Sequence, residues 1–134
     1  MNIHSNSSVA EKSSGKHMIC DIKEIKNHSF LNNIDLLKNF LDELCEKYNY
    51  TILTKSEHKF SPQGITILYM LSESHISIHT FPEHNYAAMD IYTCRYYENN
   101  EVYNKIYGEI IGAFDALYET PIIIDRIYGA QKSA

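Results

Sequence analysis

The chain has 134 residues, a formal net charge of −5 and a hydrophobic share of 44%, enough for one buried core without disulfides or metal. Acidic and basic residues are interspersed with no run of Lys or Arg, which excludes the electrostatic footprint of a phosphate-gripping protein, so nucleic acid is not an expected partner. Three cysteines without metal-ligand spacing, and no apolar run near the ~20 residues that span a bilayer, point to a soluble cytoplasmic domain with no membrane partner.

Residues 1–16, MNIHSNSSVAEKSSGK, are polar and Ser-rich and are expected as a loose tail, because they bury too little to offset the entropy of ordering. A single domain is expected over 17–134. In HMICDIKEI, Met18, Cys20 and Ile22 fall on alternate positions, as in a half-buried strand. Asn32 or Asn33 is suited to cap the next segment, where Leu37, Phe40, Leu41, Leu44 and Tyr48 recur at helical spacing. YTILTK reads as a short strand, FSPQG as a connection, and ITILYML as another strand.

HISIHTF places His75, Ser77 and His79 on one strand face and Ile76 and Ile78 on the other. YAAMDIYTC is a further strand. Val102, Ile106, Ile110, Phe114 and Leu117 mark a second amphipathic helix running to about Tyr118, and IIIDRIY a final strand after Pro121. This order predicts an α+β two-layer sandwich, an antiparallel sheet with two helices on one face.

Hydroxyls, imidazoles, a carboxylate and a thiol concentrate in LSESHISIHTFPEHNYAAMDIYTC, residues 71–94. An exposed polar sheet face would account for the alternation. A metal site from His75, His79, Cys94 and His84 has suitable donors, but His75 and His79 stand about 13 Å apart along a regular strand. A nucleophile and base, Ser74 with His79 or His75, is the third reading, although no G-x-S-x-G elbow supports a hydrolase.

SESHISIHTFPE followed by YAAMDIYTC resembles the signature of the bacterial and archaeal S-adenosylmethionine decarboxylases, and the resemblance reaches upstream through HKFSPQGIT. It implies a proenzyme that cuts itself between Glu73 and Ser74. Ser74 Oγ would attack the Glu73 carbonyl, and elimination of the ester would leave a pyruvoyl group derived from Ser74, the cofactor. That group forms a Schiff base with the amine of S-adenosylmethionine and takes up the electrons left by carbon dioxide, supplying the aminopropyl donor for spermidine synthesis.

By the same resemblance His79 assists processing, Thr66 places a hydroxyl near the forming ester, and Cys94 donates a proton to Cα. Phe60 would stack on the adenine and Glu83 would bind the ribose, with no metal required. Ser74 and His79 are an odd number apart and would face opposite sides of a regular strand, so the chain is expected to turn close to Ser74, which places the cut in a bend between two strands. A homodimer of processed protomers, each made of its two cleavage fragments, is implied. Arg95 stands where relatives often have Gly, and Phe81 where Trp is common. Two rivals stay open: the same chemistry on arginine or ornithine, and an uncut, non-catalytic homologue.

Overall fold

The computed structural model describes residues 12–129. Six strands form one antiparallel sheet: β1 (Ser13–Ile22), β2 (Ile52–Lys59), β3 (Ile65–Leu71), β4 (Ser74–Phe81), β5 (Tyr86–Thr93) and β6 (Ile122–Ile127). Their order is β2-β3-β4-β5-β1-β6, so β2 to β5 make a meander and the first strand inserts between β5 and β6. Among the described residues three helices join them: α1 (Ser29–Asn32), α2 (Ile34–Lys47) and α3 (Glu101–Phe114).

The expected two-layer α+β sandwich is present, with one helix more than the periodicity revealed. A four-residue α1 is too short to show a hydrophobic stripe, yet it buries Phe30 and Leu31. Alternation explains the layers. Met18, Cys20 and Ile22 of β1, Ile76 and Ile78 of β4, and Met89 and Ile91 of β5 share one buried cluster with Leu37, Leu41 and Leu44 of α2 and Ile106, Ile110 and Phe114 of α3. Phe114 meets Phe30 edge-on at 5.1 Å, which ties α1 to the end of α3.

Asn33 caps α2 by accepting from the Leu36 N–H at 3.0 Å. Asn32 does something else: its Oδ1 accepts from Gly64 N–H at 3.0 Å and fastens the β2–β3 connection to the helix layer. α3 ends at Phe114, four residues short of the expected Tyr118, because Asp115 adopts a left-handed conformation with φ of 51°. Leu117 and Tyr118 therefore lie outside the helix and are exposed.

Two further boundaries differ from expectation. Ser13–Lys16, assigned to the loose tail from composition, belong to β1, and the expectation for residues 1–11 lies outside the described residues. β2 runs on to Lys59 because it is an edge strand, nearly all of it exposed, where pairing with β3 rather than burial defines the strand.

Among the described residues the opposite face of the sheet carries no helix. His17 and Ile19 of β1, Thr66 and Leu68 of β3, His75, Ser77 and His79 of β4, and Asp90 and Tyr92 of β5 share it by register. Among the described residues no helix is long and apolar enough to cross a membrane.

Candidate active site

The β3–β4 connection is only Ser72 and Glu73, so Leu71 pairs with Ser74 and the Glu73–Ser74 peptide sits at the tip of a tight hairpin. On its other side Ser74 pairs with Thr93, the last residue of β5. The chain leaving β5 therefore runs past the tip. Cys94 N–H donates to the Glu73 carbonyl at 3.0 Å, and Cys94 Sγ donates to the same oxygen at 2.9 Å. Two donors on one carbonyl oxygen polarise the C=O and would hold negative charge developing there. Beside that carbonyl, Ser74 Oγ is buried and, among the described residues, has no hydrogen-bond partner, which is costly for a hydroxyl that does not act.

Cys94 is the exposed thiol of the three, whereas burial pushes Cys20 up to about 12 and Cys45 up to about 11. Those two cysteines are core residues with no thiolate available for chemistry.

His79 does not meet Ser74. β4 is regular from Ser74 onward, with the turn before it, so Ser74 falls on the parity of Ile76 and Ile78, and His79 on the open face, ~16 Å along the strand. The turn expected close to Ser74 is present, at Ser72–Glu73 between β3 and β4, but it precedes Ser74 and does not bring His79 to it. Instead His79 Nδ1 pairs with Thr66 Oγ1 at 3.0 Å across β3–β4. Phe60, 49% exposed and edge-on to His58 at 4.5 Å, follows the end of β2 beside this pair in the sheet order. Glu83 is exposed on the single turn Pro82–His84 after β4. The residues singled out from sequence thus form two groups at opposite ends of one hairpin: Glu73, Ser74 and Cys94 at the tip, and Phe60, Thr66, His79 and Glu83 at the base.

Between them lies a network that sequence reasoning passed over. Asp90 Oδ2 is 2.5 Å from His17 Nε2 and 3.0 Å from His75 Nε2, and its Oδ1 accepts from Ser77. Partial burial pushes the Asp90 carboxyl up, but hydrogen bonds from Ser77, His17 and His75 outweigh it and hold the group below the usual carboxylate range. The two imidazoles and the carboxylate bring their ligand atoms within 4.8 Å of one another, a spacing that metal sites share. Arg126 decides against that reading. Its guanidinium can only donate, and it lies 2.9 Å from His17 Nδ1, so Nδ1 accepts and Nε2 carries the proton given to Asp90. No lone pair is left on His17 Nε2 for an ion. The alternative set of His75, His79, Cys94 and His84 is dispersed: His75 is held by Asp90, His79 by Thr66 and Cys94 by Glu73.

Arg95, which departs from the family pattern, is also placed by the structure. Its Nε donates to Glu73 Oε1 at 2.8 Å, so its charge is met locally.

A sequence profile of the family described as S-adenosylmethionine decarboxylase matches residues 16–113. The chain belongs to the S-adenosylmethionine decarboxylase family. It is 43% identical over 82 residues to the S-adenosylmethionine decarboxylase proenzyme of Symbiobacterium thermophilum, covering 61% of each chain. To the proenzyme of Methanococcus aeolicus it is 42% identical over 87 residues, 65% of this chain and 74% of that one. The match to the Symbiobacterium and Brevibacillus brevis proenzymes spans about 60% of their length. The crystal structure of the adenosylmethionine decarboxylase from Aquifex aeolicus superposes with a TM-score of 0.75 at 24% identity, covering 92% of this chain and 98% of that one, which supports the fold.

Proposed function

We propose that this chain is a self-processing proenzyme, cut between Glu73 and Ser74, whose mature form decarboxylates S-adenosylmethionine and so supplies the aminopropyl donor for spermidine synthesis. The observation that carries the reading is the Glu73 carbonyl held by two donors of Cys94 beside the buried, unpartnered hydroxyl of Ser74. Attack of Ser74 Oγ on the Glu73 carbon forms a C–O bond as the C–N bond breaks, and the hydroxyl proton passes to the freed amine. Loss of the Ser74 α-proton then expels the Glu73 carboxylate. The dehydroalanine left at position 74 tautomerises, takes up water and releases ammonia, giving the pyruvoyl group.

The residues at the tip fit such a group. A pyruvoyl carbonyl at position 74 would supply the electron sink for loss of the substrate carboxylate. Cys94, whose thiol reaches the neighbouring carbonyl oxygen in the uncut chain, is the proton donor within reach of position 74. Phe60 and Glu83, both exposed, offer a stacking face and a hydrogen-bond acceptor for adenine and ribose.

His79 and Thr66 serve a tip other than their own. Two copies packed open face to open face, related by a two-fold axis across the strands, would exchange hairpin tip and hairpin base, so that each His79 approaches the backbone of the other copy's Ser74 from the side opposite its hydroxyl. Exposed Leu68, Met70, Phe81, Ile122 and Ile124 give that face its apolar area. His79 would then take the α-proton of Ser74 in its neighbour.

Intact-mass analysis of the purified protein tests the reading. Two chains are expected, residues 1–73 and 74–134, the second blocked to Edman chemistry, with Ser74→Ala remaining whole. Release of carbon dioxide from S-adenosylmethionine, and not from arginine or ornithine, is the expected activity; a folded wild-type chain that stays whole on long incubation refutes self-processing.

A further inference from the structure

We propose that Arg95 is a positioning residue for the self-cutting step, gripping the side chain of Glu73 while Cys94 grips its carbonyl. The inference rests on the processing reading above and adds to it a residue that no part of the chemistry required.

Arg95 uses its whole guanidinium. Nε donates to Glu73 Oε1 at 2.8 Å, one terminal nitrogen to the Tyr48 carbonyl at 2.8 Å, and the other to the Asn49 carbonyl at 2.9 Å. The Tyr50 ring lies beneath, 4.9 Å from the guanidinium carbon. The backbone is fixed as well, Arg95 N–H donating to Thr93 Oγ1 at 3.0 Å. Tyr48 and Asn49 follow the C-terminus of α2, where unpaired carbonyls favour a cation. That helix is anchored through Leu37, Leu41, Leu44 and Cys45 in the core. A two-residue turn, otherwise the loosest part of a hairpin, is thereby bolted to a rigid element.

The consequence concerns the peptide that breaks. Cys94 and Arg95 are consecutive, so one dipeptide holds Glu73 at two points, carbonyl and carboxylate, and restricts rotation of the plane that Ser74 must attack. Charge adds a second effect. Negative charge develops on the Glu73 carbonyl oxygen while the same residue carries a carboxylate, and Arg95 neutralises that neighbour. After the cut, Glu73 becomes a chain end with two carboxylates, and the same guanidinium retains it.

The test follows cutting by intact mass after cell-free synthesis of wild type, Arg95→Ala, Glu73→Ala and the double variant, with circular dichroism reporting folding. Arg95→Ala is expected to cut about ten- to a hundredfold more slowly, the loss appropriate to a charge-assisted hydrogen bond. Glu73→Ala loses the tether but leaves no unpaired carboxylate beside the developing oxyanion, and Arg95 keeps its two carbonyl acceptors, so it should be slowed less. The double variant should match Glu73→Ala and cut faster than Arg95→Ala, a reversal that general loss of structure would not produce. Folded Arg95→Ala cutting at the wild-type rate overturns the proposal, as does a double variant slower than both single ones. Should Arg95→Ala not fold, Glu73→Ala decides: a wild-type rate there overturns it. Wild type that never cuts removes the processing reading itself, whereas wild type and Arg95→Ala cutting alike remove only this inference.

Discussion

Cys94 gives the Glu73 carbonyl one donor from its backbone and one from its side chain, and mutation separates them. Read from sequence as a proton donor alone, Cys94 had no reason to affect the cut. With Sγ 2.9 Å from the scissile carbonyl oxygen, Cys94→Ala should still mature, because the N–H remains, but about ten- to a hundredfold more slowly, since one of two oxyanion donors is lost. Time-resolved intact mass measures this. The matured variant should also turn over poorly and convert its chain 74–134 to an alanine-like N-terminus during incubation with substrate, through protonation at the wrong carbon. A variant that matures and turns over as wild type would refute both roles of Cys94.

At the scale of the element, β1 reaches the site through a glycine. A Cβ on Gly15 would lie 2.0 Å from the Thr93 oxygen and 2.7 Å from Cys94 Cα, and Gly15 holds φ of +141°, which other residues rarely adopt. Only a residue without a side chain lets β1 pass so close to the end of β5. Gly15→Ala should therefore destabilise the fold by at least about 1–3 kcal/mol, read from the urea midpoint, and also slow cutting in the molecules that fold, because Cys94 must shift. Wild-type cutting in a destabilised Gly15→Ala would show that the end of β5 relaxes without moving the donors.

At the scale of the whole molecule, the separation of Ser74 from His79 makes a prediction about two chains. Ser74→Ala and His79→Ala should each fail to cut or cut very slowly alone. Unfolded together and refolded as a mixture, they should yield cut chains, because the His79→Ala chain brings Ser74 and its partner brings His79. Cutting confined to the His79→Ala chain, seen by mass, is the expected outcome; no cutting in the mixture would refute a shared site. The sheet face also carries a pH dependence. The Asp90 carboxyl is held below its ordinary range when folded, so the unfolded chain binds more protons as pH falls. Stability from this network is present above the usual carboxylate pKa and is lost progressively as pH falls through that value and on through the lowered folded one. Asp90→Asn should flatten that acid limb in urea unfolding measured against pH, and an unchanged limb would assign the dependence to other carboxylates.

Layer architecture and the chemistry-bearing segment were legible in the chain itself. Alternation in β3, β4 and β5 and the helical stripe of Leu37, Leu41 and Leu44 are local periodicities, and SESHISIHTFPE carries its residue types in a contiguous run. Other features needed the tertiary structure. The polar edge strand β2 is defined by pairing, Gly15 by a neighbour 78 residues away, and the Asp90–His17–Arg126 network by three strands distant in sequence. Proximity in sequence also misled: His79 and Ser74, five residues apart, are held apart by the rise of a regular strand, while Cys94 and Arg95, some twenty residues away, close on Glu73 through sheet pairing. Periodicity reports which face a side chain takes; register and the ends of strands decide what it touches.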